Sequence, residues 1–188
     1  MIVNLTKYDG HLLHNRFAYQ YFGNKVNPLG DIIAFRGEME VLADAMIDQE
    51  DLMAEAFIWS DDAVNFLWEL PVLSNNAFGA VAYQRLFNSL IADILSDLIK
   101  KPIELEGDDI MVLDNGKLGK ASVSITHVKQ DAALGHTGIN VFAGTKAPGH
   151  AYSCALNDEE VQEFMQRVCV AFYALNQDVF VATSKVIN

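Results

Sequence analysis

Apolar pairs recur four residues apart through the middle of the chain: Leu86-Phe87, Leu90-Ile91, Ile94-Leu95 and Leu98-Ile99. That spacing puts one apolar stripe on a helix and predicts a helix from about residue 79 to 100. Lys100-Lys101 suit the negative end of its dipole, and Pro102 stops it. A second helical pattern starts at Asn157. Val161, Phe164, Met165, Val168, Phe172 and Leu175 form its apolar face, and Asn157 with Glu160 makes a capping box. Asn176-Gln177-Asp178 is expected to interrupt it, leaving residues 179–187 as a strand or a further helical turn. Elsewhere the period shortens. Residues 32–35 read as a buried strand. Residues 56–59 and 64–70 read as two strands, or a strand and a helix, with Asp61-Asp62 as a turn. Residues 110–113, 121–126 and 138–142 are strands, the first two joined by the turn Asp114-Asn115-Gly116. Residues 1–30 are short strands and turns, and the acidic stretch 38–51 is partly helical. This order predicts an α+β fold with a mixed, largely antiparallel sheet packed by helices. No linker or repeat divides it, so residues 1–188 are expected to form a single domain.

Composition narrows the function. With 188 residues, 51% of them hydrophobic, the chain can bury a sizeable core. A net charge of −12 repels phosphate backbones and anionic lipid, so neither nucleic acid nor a membrane is an expected partner. No apolar run is long enough to cross a bilayer, and Met1-Ile2-Val3-Asn4-Leu5 does not read as a secretory leader, which predicts a soluble cytoplasmic protein. Cys154 and Cys169 are expected to be reduced, partly buried thiols. His11, His14, His127, His136 and His150 show no zinc spacing, and no metal ligands are assigned. No Gly-x-Ser-x-Gly elbow anchors a hydrolase triad. The carboxylates from Glu38 to Asp51 read as a solvated acidic face.

The chemistry concentrates between residues 107 and 149. Side chains alternate along a strand, so Lys120, Ser122, Ser124 and Thr126 are expected on one face, with Ala121, Val123 and Ile125 against a helix. The small hydroxyls leave room for a ligand, and Lys120 is a point charge for a carboxylate or phosphate. The bland alternative is an exposed sheet face with a solvated lysine. Only one of Asp108 and Asp109 can point to the polar side. Gly138 and Asn140 share a face of the next strand, and a strand glycine often marks close approach of a backbone or ligand. The loop 144–149 offers its amides, Thr145 and Lys146 to an anion, without matching a P-loop.

Tyr8-Asp9-Gly10, Ala34-Phe35-Arg36-Gly37, Gly107-Asp108-Asp109-Ile110, Ser122-Val123-Ser124-Ile125, Gly138-Ile139-Asn140 and Gly144-Thr145 together resemble the uncharacterised family called domain of unknown function 366, which implies no activity. More broadly, Asp108-Asp109-Ile110, Lys120-Ala121-Ser122 and Gly138-Ile139-Asn140-Val141 resemble, in order, motifs of the biotin and lipoate protein ligase catalytic domain, related to class II aminoacyl-tRNA synthetase cores. This resemblance implies that Lys120 contacts a carboxylate or acyl-adenylate phosphate, with Asp109 on the nucleotide side. Arg36 is a second candidate anion contact, and Ser122, Ser124, Gly138, Asn140 and Thr145 are candidate ligand contacts. ATP, magnesium and a homodimer are implied by the resemblance only. The ligases' Arg-Arg-x-x-Gly-Gly-Gly and Gly-Arg-Gly-Arg loops are missing, and Lys117 competes with Lys120 for the aligned position. Two readings stay open: an acyl ligase or acyltransferase acting on a small carboxylate, and a ligand-binding or assembly module that has lost ATP-dependent chemistry.

Overall fold

In a computed structural model describing residues 1–54 and 56–186, the apolar runs near residues 32 and 64 are central strands buried on both faces. The strands are β1 (Lys7–Tyr8), β2 (Asp31–Val41), β3 (Ile58–Leu70), β4 (Ile103–Glu106), β5 (Asp109–Asp114), β6 (Lys117–Lys120), β7 (Ser122–Val128) and β8 (Ala133–Phe142). The α-helices are α1 (Ala18–Phe22), α2 (Gln49–Met53), α3 (Ala77–Ile99) and α4 (Asp158–Thr183). The main sheet runs β1-β2-β3-β8-β7, antiparallel except for β1 on β2; β4-β5-β6 form a separate antiparallel meander.

Alternation sorts the main sheet into two cores. Ile32, Ala34, Val64, Phe66, Trp68, Ile139 and Val141 face α3 and α4, meeting Phe87, Ile91, Leu95, Phe164, Val168 and Phe172. Ile33, Phe35, Met39, Leu67 and Leu134 face the other way, under Tyr8, Leu13, Phe17 and the segment carrying Ala45 and Met46. Because both faces are covered, these strands read as continuous apolar runs. Gly135 on β8 is required by packing: a Cβ there would lie 2.0 Å from Trp68 Cζ2.

The helix ends follow their sequence signals. Asn76 Oδ1 caps α3 by accepting from the Gly79 amide at 2.8 Å. At the other end Lys100 takes a left-handed conformation, φ 55°. The capping box forms at α4: Asn157 Oδ1 accepts from the Glu159 and Glu160 amides at 3.0 Å, and Glu160 Oε2 accepts from the Asn157 amide at 2.9 Å.

Three expectations change. Helix α4 is not interrupted at residues 176–178, because Asn176 is buried and accepts from the Tyr83 hydroxyl at 2.8 Å, so packing carries the helix through. The tail is therefore helical to Thr183; Ile187, within the expected strand or turn, lies outside the described residues. Residues 58–70 are one strand, and Asp61-Asp62 are not a turn; the β3–β8 register shifts there instead. The acidic stretch is helical in part, as expected, at the start of α2, while its first part extends β2, where Glu38 and Glu40 pair with Lys7. Among the described residues no helix is long and apolar enough to cross a membrane.

Candidate functional site

Two adjoining cavities open on the sheet face away from α3 and α4. The outer one holds about 150 Å³ between Asp51, Phe57, Trp59, Lys120, Asn140 and His150. The inner one holds about 30 Å³ and is lined by Tyr8, Met46, Asp51, Val123, Ile125 and His136. Asp51, Ile58 and Val123 line both, so the two form one groove under the segment between β2 and β3.

Lys120 ends β6, beside the crossing from the meander to the main sheet. Its backbone is held by two bonds to one neighbouring segment: its amide donates to the His150 carbonyl at 2.9 Å, and its carbonyl accepts from the Tyr152 amide at 2.8 Å. Its Nζ lies 2.8 Å from Asp109 Oδ1. Asp109 thus points to the cavity side, whereas Asp108 points toward α3 and pairs with Arg85 at 3.1 Å. Lys117 is exposed on the hairpin, which leaves Lys120 as the lysine of the groove. Asp51 is the second carboxylate of the wall. Burial, then the neighbouring Asp48, raises its pKa above the ordinary carboxylate value, while Lys120 pulls it back down.

Asn140 projects from β8 into the same wall. It is buried, and its Oδ1 has no hydrogen-bond partner. Trp59 forms another side: its indole N–H donates to Asp61 Oδ1 at 2.6 Å, and Lys146 Nζ sits 3.7 Å from the centre of its ring. In the inner cavity the His136 ring stacks on Tyr8 at 3.6 Å and meets Asn65 Oδ1 through Nε2 at 2.9 Å.

The expected faces of β7 are reversed. By register Ser122, Ser124 and Thr126 point to the helix side and Val123 and Ile125 to the groove, while Ser122 and Ser124 still contribute to the walls of the outer and inner cavity. Register accounts for this: Ser122 pairs with Ile139 and Ser124 with Thr137, both on the helix-facing side of β8. The hydroxyls are already engaged. Ser122 Oγ accepts from the Ile110 amide at 2.8 Å. Ser124 Oγ accepts from Gln84 Nε2 at 2.9 Å and lies 3.1 Å from Thr137 Oγ1, which donates to Asn88 Oδ1 at 2.8 Å. Arg36 is no free anion contact: it holds Asp62 through two nitrogens at 2.6–3.0 Å and Asp158 at 2.5 Å, away from the groove. Thr145 is exposed in a turn outside the lining, and Lys146 braces Trp59 from that turn. Gly138 marks close packing, since a Cβ there would lie 2.8 Å from Met39 Sδ. Asp48 and Asp51, read as solvated, line the groove instead. His136 and His150 were passed over as scattered; the available signal was one histidine inside the apolar run of β8.

The groove does not fit a nucleoside triphosphate with its metal. Lys120, its one lysine or arginine, already faces Asp109, with Asp51 beside it. Among the described residues no group of three His, Cys, Asp or Glu is arranged to hold a metal ion.

A family profile covers residues 1–187. The chain belongs to the family described as Domain of unknown function (DUF366). It is 28% identical to a protein of unknown function from Pyrococcus horikoshi, with a TM-score of 0.84 over 100% of this chain and 97% of that one. A putative lipoate protein ligase from T. acidophilum with bound lipoic acid superposes with a TM-score of 0.57 at 13% identity, over 89% of this chain and 84% of that one. A biotin protein ligase from Aquifex aeolicus in complex with biotin gives a TM-score of 0.53 at 14% identity, over 95% and 70%. Nothing matches among the curated proteins. The fold of this DUF366 chain is therefore that of the biotin and lipoate ligases, α+β with a mixed sheet.

Proposed function

We propose that this DUF366 protein binds a small carboxylic acid with an apolar chain, and does so without activating it by ATP. The observation that carries this reading is the groove: one ammonium group at the outer end and an apolar lining leading inward. An ammonium has three protons. Asp109 takes one, and two remain for a carboxylate. Phe57, Ile58, Val123 and Ile125 then shield the chain from water. A single carboxylate is tolerated beside Asp109 and Asp51, whereas the charge of a triphosphate is not. The structural likeness supports the acid, because superposable ligases hold lipoic acid and biotin; another, lipoate-protein ligase A, is bound with ATP, so the case against ATP here rests on the charge of the groove alone. A second reading, transfer of an acyl group from a preformed acyl-adenylate, draws on the same lysine: its charge would stabilise the single phosphate.

Thermal-shift and calorimetric titrations with octanoate, lipoate, biotin, ATP and a non-hydrolysable octanoyl-adenylate test this directly. A bound acid raises the melting temperature by mass action. At least one free acid is expected to bind, ATP to give no shift, and Lys120→Ala to weaken the acid about ten-fold, the loss of one charge-assisted contact. A shift with ATP overturns the reading, as does unchanged acid affinity in Lys120→Ala. Binding of the adenylate alone selects the second.

A further inference from the structure

Of the carboxylates around the groove, the fold uses Asp109 and Asp48. Asp109 holds Lys120 Nζ at 2.8 Å. Asp48, on the wall of the inner cavity, caps α2: its Oδ1 accepts from the Glu50 amide at 2.8 Å and from the Asp51 amide at 3.3 Å. Asp51 is different. Its main chain is fixed, by that bond and by its carbonyl, which accepts from the Ala56 amide at 2.9 Å. Its carboxylate is not: among the described residues it is in no ion pair and accepts no hydrogen bond. The charges near it are those of Asp48, Glu50 and Asp109, which repel it, and of Lys120, which attracts it without reaching it. Asp51 is half-buried and lines both cavities, so a ligand in either one meets it.

We propose that the acid held by this groove is an amino acid with an apolar side chain, its carboxylate on Lys120 and its ammonium on Asp51. This rests on the carboxylate reading above and narrows it. Charge decides between the two kinds of acid. A plain fatty acid brings one more negative charge to a groove whose lysine is already outnumbered by carboxylates, and it leaves Asp51 unpaired. An amino acid brings no net charge, and its ammonium gives Asp51 the donor that the fold does not supply. Geometry then places the ammonium. Lys120 and Asp51 share the outer cavity without forming an ion pair, and the neighbouring charges of an α-amino acid bridge such a gap. The side chain runs inward past Ile58, Val123 and Ile125. Asp51 is thus the specificity-determining residue of the groove, with Lys120 the general carboxylate contact.

The test compares ligands of one chain length that differ only in charge. Octanoate, 2-aminooctanoate, 8-aminooctanoate and octylamine are titrated by calorimetry against the unaltered chain. 2-Aminooctanoate is expected to bind about ten-fold more tightly than octanoate, the return on one hydrogen bond between charged groups, and more tightly than the other two amines. Asp51→Asn should then act on the two acids with opposite sign. It should weaken 2-aminooctanoate about ten-fold and leave octanoate as tight or tighter, because a repelling carboxylate is gone. Octanoate binding as tightly as 2-aminooctanoate, 8-aminooctanoate binding as tightly, or a preference that survives in Asp51→Asn overturns the inference and leaves the carboxylate reading standing. Octylamine matching 2-aminooctanoate, or binding of none of the four at millimolar concentration, overturns both.

Discussion

The two faces of β7 and β8 differ in what they leave unsatisfied. The helix-side face is the more polar by composition, with Ser122, Ser124, Thr126 and Thr137. Its inner members are spent: Gln84, Ser124, Thr137 and Asn88 form a continuous chain of hydrogen bonds that ends on the Asp108 carbonyl. The opposite face is mostly apolar, with Val123, Ile125 and Gly138, yet it carries two acceptors without partners, Asn140 Oδ1 and His136 Nδ1. Polar residue content therefore misdirects here. A polar side chain marks a ligand surface only where its bonding capacity is not already taken up by the fold.

The largest test of this contrast concerns His136. Its folded pKa of about 3 lies below the ordinary 6.5. Between those values the unfolded chain holds a proton that the folded chain lacks. Stability is thus intact above the ordinary value and falls as the pH drops, by about 1.4 kcal/mol per pH unit from this group. Denaturant titrations from pH 7 to pH 4 should show a steeper loss in the native sequence than in His136→Phe. Equal slopes would mean that the ring is not held neutral in the groove, breaking the distinction between the faces.

Ser124→Ala should come next in size. Cutting the saturated chain under α3 leaves Gln84 and Thr137 short of a partner and should cost about 1–3 kcal/mol in a urea titration. Acid affinity should change less than stability does, even though Ser124 also lines the inner cavity. A binding defect with little loss of stability would return Ser124 to the site and reverse the assignment of faces.

The smallest effect is expected at Asp51. Its carboxyl titrates above the ordinary value, so ionisation is disfavoured in the folded state and stability is lower once the group is charged. Asp51→Asn should therefore stabilise the protein at pH 7, by less than about 1 kcal/mol at a site screened by solvent. The gain should fade as the pH falls through the raised carboxyl range, where the native group is itself protonated. Thermal melts at pH 7 and pH 3.5 check the sign.

Much of the architecture was legible because local signals agreed with one another. The four-residue apolar stripe gave α3, the Asn157–Glu160 box fixed the start of α4, and Asn115-Gly116, both at positive φ, gave the hairpin between β5 and β6. Tertiary context decided the rest. Asn176 looked like a breaker and became a buried partner of Tyr83. Asp61-Asp62 looked like a turn and fell inside one long strand at a register shift. Of the expected site residues, Lys120, Asp109 and Asn140 come together at the candidate groove, because a lysine, a carboxylate and an amide near strand ends are visible in one dimension. The faces of β7 were not found, because they depend on how residues 122–128 register against β8 after the break between β6 and β7 at Ala121. Arg36 looked available for the same reason: its partners Asp62 and Asp158 are 26 and 122 residues away in sequence.

The double clamp on the Lys120 main chain has a practical corollary. The Lys120 main chain is fastened by the segment at His150 and Tyr152 and lies opposite Met111 across the hairpin, and the Asn115-Gly116 tip takes no part in either attachment. That tip is a tolerant place for extra residues, a fluorophore or a surface tether. A reporter grafted there would ride on the one ribbon that delivers the charge while leaving the amine where the fold has fastened it.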